Sequence, residues 1–163
     1  MVLYLIRHPQ TIRNVEDKLT GWEESGYSDL GKIQFKKIVE HFSDNKRVIY
    51  SSDLPRARML AEGISNACDS ELIVDVDLRE LNFKKTAPYD SHETPDDLMN
   101  RIDNFLEGID SDALIVSHAA AVNAIVENLC GENVLANMEP YPRDVIFRIE
   151  TVKNENKLSI IQT

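Results

Sequence analysis

Two stretches decide how this chain reads: Leu5-Ile6-Arg7-His8 near the start and Ile115-Val116-Ser117-His118 far downstream. Each is an apolar run that stops abruptly at a histidine. Such runs predict strands buried on both faces. In an open α/β sheet, ligands gather beyond the carboxyl ends of the strands. Both histidines are therefore expected at one rim of one sheet, although most of the chain separates them. One of them has an arginine beside it. Imidazoles paired with guanidinium groups suit an anionic phosphoryl group, which needs a nucleophile and charge stabilisation.

Outward from these stretches the pattern alternates. Strands are expected at Val2–Ile6, Arg47–Ser51, Glu71–Leu78, Ala113–Ser117, Val145–Val152 and Lys157–Ile161. Apolar residues at helical spacing lie between the early ones: Phe35, Ile38, Val39, Phe42; then Ala57, Leu60, Ala61, Ile64; then Leu98, Ile102, Phe105, Leu106, Ile109; then Val122, Ile125, Val126, Leu129. Thr94-Pro95-Asp96-Asp97 is a helix start, with a capping hydroxyl, a first-turn proline and acids at the positive dipole end. Strands alternating with helices imply parallel crossovers and a three-layer α/β/α sandwich around a mostly parallel sheet. Only Lys153–Asn156 separates the last two strands, which predicts an antiparallel edge hairpin. Asn82–Glu93 is the least regular stretch and reads as a loop above the sheet edge.

The bulk numbers narrow the classes. At 163 residues, with no linker or repeat, the chain is expected to form one domain over 1–163. A net charge of −10 argues against a nucleic-acid partner, which would call for a basic patch. An anion site must then be local, built from a few arginines against an opposing field. Cys68 and Cys130 form no CxxC and lie on apolar helical patterns, so they read as free thiols in a reducing compartment. No run reaches membrane-spanning length, and Met1–Ile6 is too short for a signal peptide. The expectation is a cytoplasmic protein with no membrane partner; the oligomeric state is not legible.

Four successive strands deliver Arg7, His8, Arg56, Glu80 and His118 to the same end of the sheet. Their chemistry assigns them tasks. A neutral imidazole attacks phosphorus. Arg7 and Arg56 hold the nonbridging oxygens through forked hydrogen bonds. His118 adds a donor and precedes a helix N-terminus, which favours anions. Glu80 protonates the leaving oxygen and then deprotonates water. With arginines supplying the positive charge, neither a metal nor a cofactor is called for.

These motifs resemble the histidine phosphatase superfamily, the phosphoglycerate-mutase-like fold. Arg7-His8-Pro9-Gln10-Thr11-Ile12-Arg13-Asn14 is similar to the family's opening Arg-His-Gly-Glu-Thr-x-x-Asn. Thr20-Gly21-Trp22, Ser28-Asp29-Leu30-Gly31, Ser51-Ser52-Asp53-Leu54-Pro55-Arg56-Ala57, Leu78-Arg79-Glu80 and Val116-Ser117-His118 resemble its later segments in order. The resemblance implies that His8 is the phosphorylated nucleophile, that Arg7, Arg56 and His118 form the phosphate pocket, and that Glu80 is the proton donor. It places Asn14 beside the phosphate, with Thr20, Gly21 and Ala119 as further substrate contacts. Size and the Leu-Arg-Glu segment are similar to the α-ribazole-phosphate phosphatase branch.

Three departures bear on the pocket. Pro9 replaces a glycine and lacks its N–H. Ala119 and Ala120 replace a glycine-rich pair. Asn82-Phe83-Lys84-Lys85 stands where small phosphatases of the family often carry Gly-x-Trp-Glu-Gly. Lys84 and Lys85 read as solvated. His41 reads as a structural residue beside an apolar stripe. His92, in the acidic stretch 90–97, reads as exposed, with substrate contact as the alternative. Trp22 either lines the mouth or pins a loop.

The favoured expectation is a metal-independent phosphomonoester hydrolase acting on a small phosphorylated metabolite. The short link from Glu80 to Thr94 leaves little room for the water-excluding insertion of a phosphoglycerate mutase. The alternatives are that mutase chemistry, a phosphohistidine or phosphoprotein phosphatase, and a noncatalytic phosphate-binding module.

Overall fold

The computed structural model of the chain describes residues 1–83, 92–132, 134, 135, 145–153 and 155–162. Lys84 and Lys85, with most of the expected loop Asn82–Glu93, lie outside the described residues. The strands are β1 (Val2–Arg7), β2 (Val48–Ser52), β3 (Leu72–Asp75), β4 (Ala113–Ser117), β5 (Val145–Val152) and β6 (Glu155–Gln162). They lie in the order β3-β2-β4-β1-β5-β6. The first four in that order are mutually parallel. β5 runs antiparallel to β1, and β6 antiparallel to β5, closing the sheet with the expected hairpin.

Side-chain alternation along the central strands builds both faces. Leu3, Leu5, Ala113, Ile115, Phe147 and Ile149 face α4 (Pro95–Glu107) and α5 (Ala119–Cys130), meeting Leu98, Ile102, Phe105, Val122 and Ile125. Ile6, Ile49, Leu114, Val116 and Ile146 face α2 (Asp29–His41) and α3 (Pro55–Cys68), meeting Ile38, Ala57, Leu60 and Ile64. Burying such side chains contributes roughly 1.5–3 kcal/mol each. The result is the three-layer α/β/α sandwich expected from the alternation.

The strand pairing fixes the rim. Leu5 pairs with Ile115, Ile6 with Val116 and Arg7 with Ser117. His8 and His118 are the next residues of each strand, so they emerge side by side. The His8 N–H continues the ladder to the Ser117 carbonyl at 3.0 Å.

Some boundaries differ from expectation. β3 ends at Asp75 rather than Leu78, because the Asp75 carboxylate accepts from the Asp77 N–H at 2.9 Å and turns Val76–Leu78 into a 3₁₀ turn. β6 is longer than expected, starting at Glu155. A short α1 (Ile12–Val15) follows the first histidine motif, capped by a reciprocal Thr11–Asn14 box. The expected Thr94 cap on α4 is likewise a capping box, closed by Asp97. Ser28 caps α2, whose first turn sits on the backbone of Gln10, two residues past His8. A Cβ on Gly31 would lie 2.0 Å from the Gln10 carbonyl oxygen, so glycine alone allows this approach. Both cysteines are free; Cys68 is buried and Cys130 half-buried. His41 ends α2 exposed, with its ring edge-on to Phe42.

Candidate active site

His8 follows β1 directly and is buried. Its Nδ1 lies 2.8 Å from the Pro9 carbonyl. A carbonyl only accepts, so Nδ1 carries the hydrogen and the neutral ring keeps its lone pair on Nε2. That atom accepts from Arg56 Nε at 3.2 Å. Pro9 thus retains the backbone group that orients the ring, and the N–H it lacks plays no part in this contact.

Arg56 comes from the first turn of α3, just past β2. Proline at the helix start sets the turn that carries it. The guanidinium is buried and donates to the Glu23 carbonyl at 2.9 Å and the Gly21 carbonyl at 2.5 Å. Gly21 has a φ of +53°, a left-handed conformation that glycine adopts freely. The Tyr27 hydroxyl donates to the Arg56 carbonyl at 2.5 Å, fixing the same turn. Burial lowers the Arg56 pKa, against the raising fields of Glu80 and Glu24. A guanidinium remains charged through such a shift.

His118 caps α5 and is wholly buried, its ring centroid 5.2 Å from that of His8. Nε2 lies 2.9 Å from Ser52 Oγ, which also accepts the Leu54 N–H at 3.2 Å. Nδ1 is buried and has no hydrogen-bond partner among the described residues. Burial, then the fields of Arg56, His8, Arg7 and Arg101, hold the pKa well below the ordinary imidazole value. The ring is therefore neutral near pH 7.

Glu80 is buried two residues past the 3₁₀ turn. Its Oε1 accepts two backbone N–H groups, Leu81 at 3.1 Å and Ala120 at 3.0 Å. Its own carbonyl accepts the Trp22 indole N–H at 2.5 Å. Arg79 stacks over the Trp22 ring at 4.6 Å and forks onto both oxygens of Asp53. Trp22 therefore pins the Glu80 segment, which settles the choice left open for it.

Arg7, His8, Asn14, Thr20, Gly21, Arg56, Glu80 and Ala119 line one cavity of about 280 Å³. All the expected site residues except His118 reach this wall; His118 is buried beside His8. Asn14 Oδ1 accepts from the Thr11 N–H and hydroxyl, at 3.0 and 2.8 Å, so its amide NH2 is the end available to a ligand. Asp17, Lys18, Leu19 and Phe83 complete the lining. The last three also border an adjoining cavity of about 540 Å³, together with Arg13. Asp17, Lys18 and Leu19 belong to none of the motifs read from the sequence, whereas Phe83 lies in the Asn82–Lys85 departure. Leu19 is 67 % exposed, an apolar surface at the border of both cavities. His92 is exposed and does not line the cavity.

Among the described residues, no group of three or more His, Cys, Asp and Glu could hold a metal ion. Among the same residues, no helix is long and apolar enough to cross a membrane.

Known proteins resemble this chain in sequence and in fold. "Putative phosphoserine phosphatase 2" of Hydrogenobacter thermophilus is 29 % identical over 159 residues, covering 79 % of this chain and 78 % of that protein. The α-ribazole phosphatase of Shigella flexneri superposes with a TM-score of 0.83 at 16 % identity, covering 100 % of this chain and 96 % of that one. The phosphoserine phosphatase of Entamoeba histolytica, in complex with 3-phosphoglyceric acid, gives a TM-score of 0.79 at 20 % identity, covering 99 % and 97 %. At such identities the structures show a common fold. The sequence profile of the Histidine phosphatase superfamily (branch 1) matches residues 3–87, and the chain belongs to that family.

Proposed function

We propose that the chain hydrolyses phosphomonoesters of small metabolites through a phosphohistidine on His8. The observation that carries this reading is the His8 tautomer: the Pro9 carbonyl takes the Nδ1 hydrogen and leaves Nε2 as a lone pair at the guanidinium of Arg56. Nε2 attacks phosphorus while Arg7 and Arg56 neutralise the nonbridging oxygens. Arg56 already spends hydrogens on Gly21 and Glu23, so its orientation is fixed before substrate arrives. His118, neutral and held through Nε2 at 2.9 Å from Ser52 Oγ, is the further donor. The Asn14 amide completes the phosphate contacts.

Glu80 enters as the acid. Its Oε1 is saturated by the two backbone N–H groups, so the transferable proton sits on Oε2. The leaving oxygen takes that proton as the ester P–O bond breaks and the N–P bond forms. The carboxylate then removes a proton from water, which attacks phosphorus; the N–P bond breaks and His8 returns to its starting form. The family relatives include phosphatases of phosphoserine and of α-ribazole phosphate, which supports a small anionic substrate.

The test is hydrolysis of p-nitrophenyl phosphate by wild type and His8→Ala in chelator, with acid-labile phosphoenzyme trapped by rapid denaturation. Wild type should turn over and yield phosphohistidine; His8→Ala should do neither while keeping its circular dichroism and Tm. Unchanged turnover by His8→Ala would sink the nucleophile assignment. Release of inorganic phosphate, rather than an isomeric ester, from phosphoglycerates separates hydrolysis from mutase chemistry.

A further inference from the structure

Arg101 lies on α4, off the cavity wall, and the proposed reaction gives it no task. Its side chain is nevertheless almost buried and fully engaged. Nη1 donates to the carbonyls of Asp77 and Arg79, at 2.5 and 2.7 Å. Nη2 donates to the carbonyl of Glu80 at 3.1 Å. Nε and Nη2 also grip the Glu93 carboxylate, at 3.0 and 3.1 Å. Glu93 in turn accepts the Asn82 N–H at 2.9 Å and returns its own N–H to the Asn82 carbonyl at 3.1 Å.

The pair therefore holds the backbone on both sides of Glu80. Carbonyls of a 3₁₀ turn and the residues after it have no helical partners, and several converging on one point repel each other. A guanidinium at that point replaces repulsion with charge-assisted bonds, and its planar fork fixes their directions. An ammonium would supply charge without the fork.

We propose that Arg101 and Glu93 are positioning residues that hold Glu80 at the distance and angle needed to protonate the leaving oxygen. They act through the backbone; the carboxyl itself is held by Leu81 and Ala120. This rests on the reading of Glu80 as the acid. A displacement of ~1 Å in the 79–82 backbone is enough to cost ~10²-fold in a proton-transfer step. Glu93 immediately precedes the Thr94 cap, so the device also ties the entry to α4 to the Glu80 segment.

A purely structural role would lower all activities together. A positioning role has a different signature, because an aryl leaving group departs without a proton and an alkoxide does not. The experiment compares kcat/KM for p-nitrophenyl phosphate and phenethyl phosphate in wild type, Glu80→Gln, Arg101→Gln and Glu93→Gln, with Tm measured on each. Arg101→Gln and Glu93→Gln should lose roughly tenfold or more on the alkyl ester and less than about threefold on the aryl ester, a fraction of the ~10²–10⁴ that a general acid supplies. If Arg101→Gln fails to fold, Glu93→Gln, which keeps shape and one hydrogen-bonding oxygen, carries the test. A leaving-group-selective Glu80→Gln beside non-selective Arg101→Gln and Glu93→Gln would overturn the positioning role and leave the acid standing. A non-selective Glu80→Gln would remove the acid and the positioning role with it.

Discussion

The groups that meet phosphorus in the proposed reaction and the carboxylate that serves the leaving oxygen come to one cavity by different means, His118 from behind its wall beside His8. Arg7 ends β1, while His8 and His118 directly follow β1 and β4, adjacent parallel strands whose pairing runs from Leu3–Ala113 to Arg7–Ser117. Their placement follows from the ladder itself. Glu80 comes after β3, the short edge strand, where Ile73 and Val74 are exposed, and after the turn that exposes Val76. No ladder positions it. Trp22, Arg101, Leu81 and Ala120 do, and three of these lie far from it in sequence. A nucleophile at a central strand end inherits the rigidity of the sheet, whereas a group at the sheet edge has to be fastened by side chains.

That contrast predicts different kinds of damage. The largest effect in this comparison belongs to Arg56→Lys, among the groups that meet phosphorus. The variant loses the fork and leaves the Gly21 and Glu23 carbonyls short of a partner, so kcat/KM should fall roughly 10²–10³-fold. The loss should be equal for aryl and alkyl esters, since both carry the same phosphoryl group. A loss confined to alkyl esters would blur the division between the two regions.

Trp22→Phe tests the edge side with a smaller perturbation. It keeps a ring under Arg79 and removes only the N–H that reaches the Glu80 carbonyl. One hydrogen bond of this kind is worth ~0.5–1.5 kcal/mol, so alkyl esters should slow by roughly three- to tenfold. Aryl esters should hardly change. Equal slowing of both classes would place Trp22 among the phosphate contacts rather than with the acid.

The last test reads stability rather than rate. His118 is neutral in the folded protein and ordinary in the unfolded chain, so its folded pKa is the lower one. The unfolded state then binds the extra proton. The contribution is complete above the unfolded value near 6.5 and is lost as pH falls from there toward the depressed folded value. Denaturant midpoints should show wild type losing up to about 1.4 kcal/mol per pH unit more than His118→Gln across that window. Parallel pH curves for the two proteins would mean that the folded His118 titrates normally.

The central strands were legible because each is short, apolar throughout and ended by a polar residue, so Leu5–His8 and Ile115–His118 needed no context. The edge was less so. Glu71–Leu78 looks like one strand, and the Asx turn at Asp75 that ends it is a local hydrogen bond that hydropathy does not report. Asn14, Thr20, Gly21 and Ala119 line the cavity, and so do Asp17, Lys18 and Leu19, which belong to no motif, and Phe83, from the stretch that departs from the family's pattern. Ser52 and Arg101 read as an ordinary strand-end serine and an ordinary helix arginine until their partners, His118 and the 77–80 carbonyls, are in view.

By itself the sequence determined the alternation of layers, the rim at which the two histidines emerge and the family to which the chain belongs. These follow from periodicity and from backbone pairing, which are local or nearly so. Tertiary structure decided the meeting of the Arg56 guanidinium with Nε2 of His8, the depressed pKa of His118, the exposed apolar mouth and the clamp around Glu80. Each of these depends on which distant group lies within a few ångströms in a low-dielectric interior, where hydrogen bonds and charges act strongly and sequence separation has no bearing.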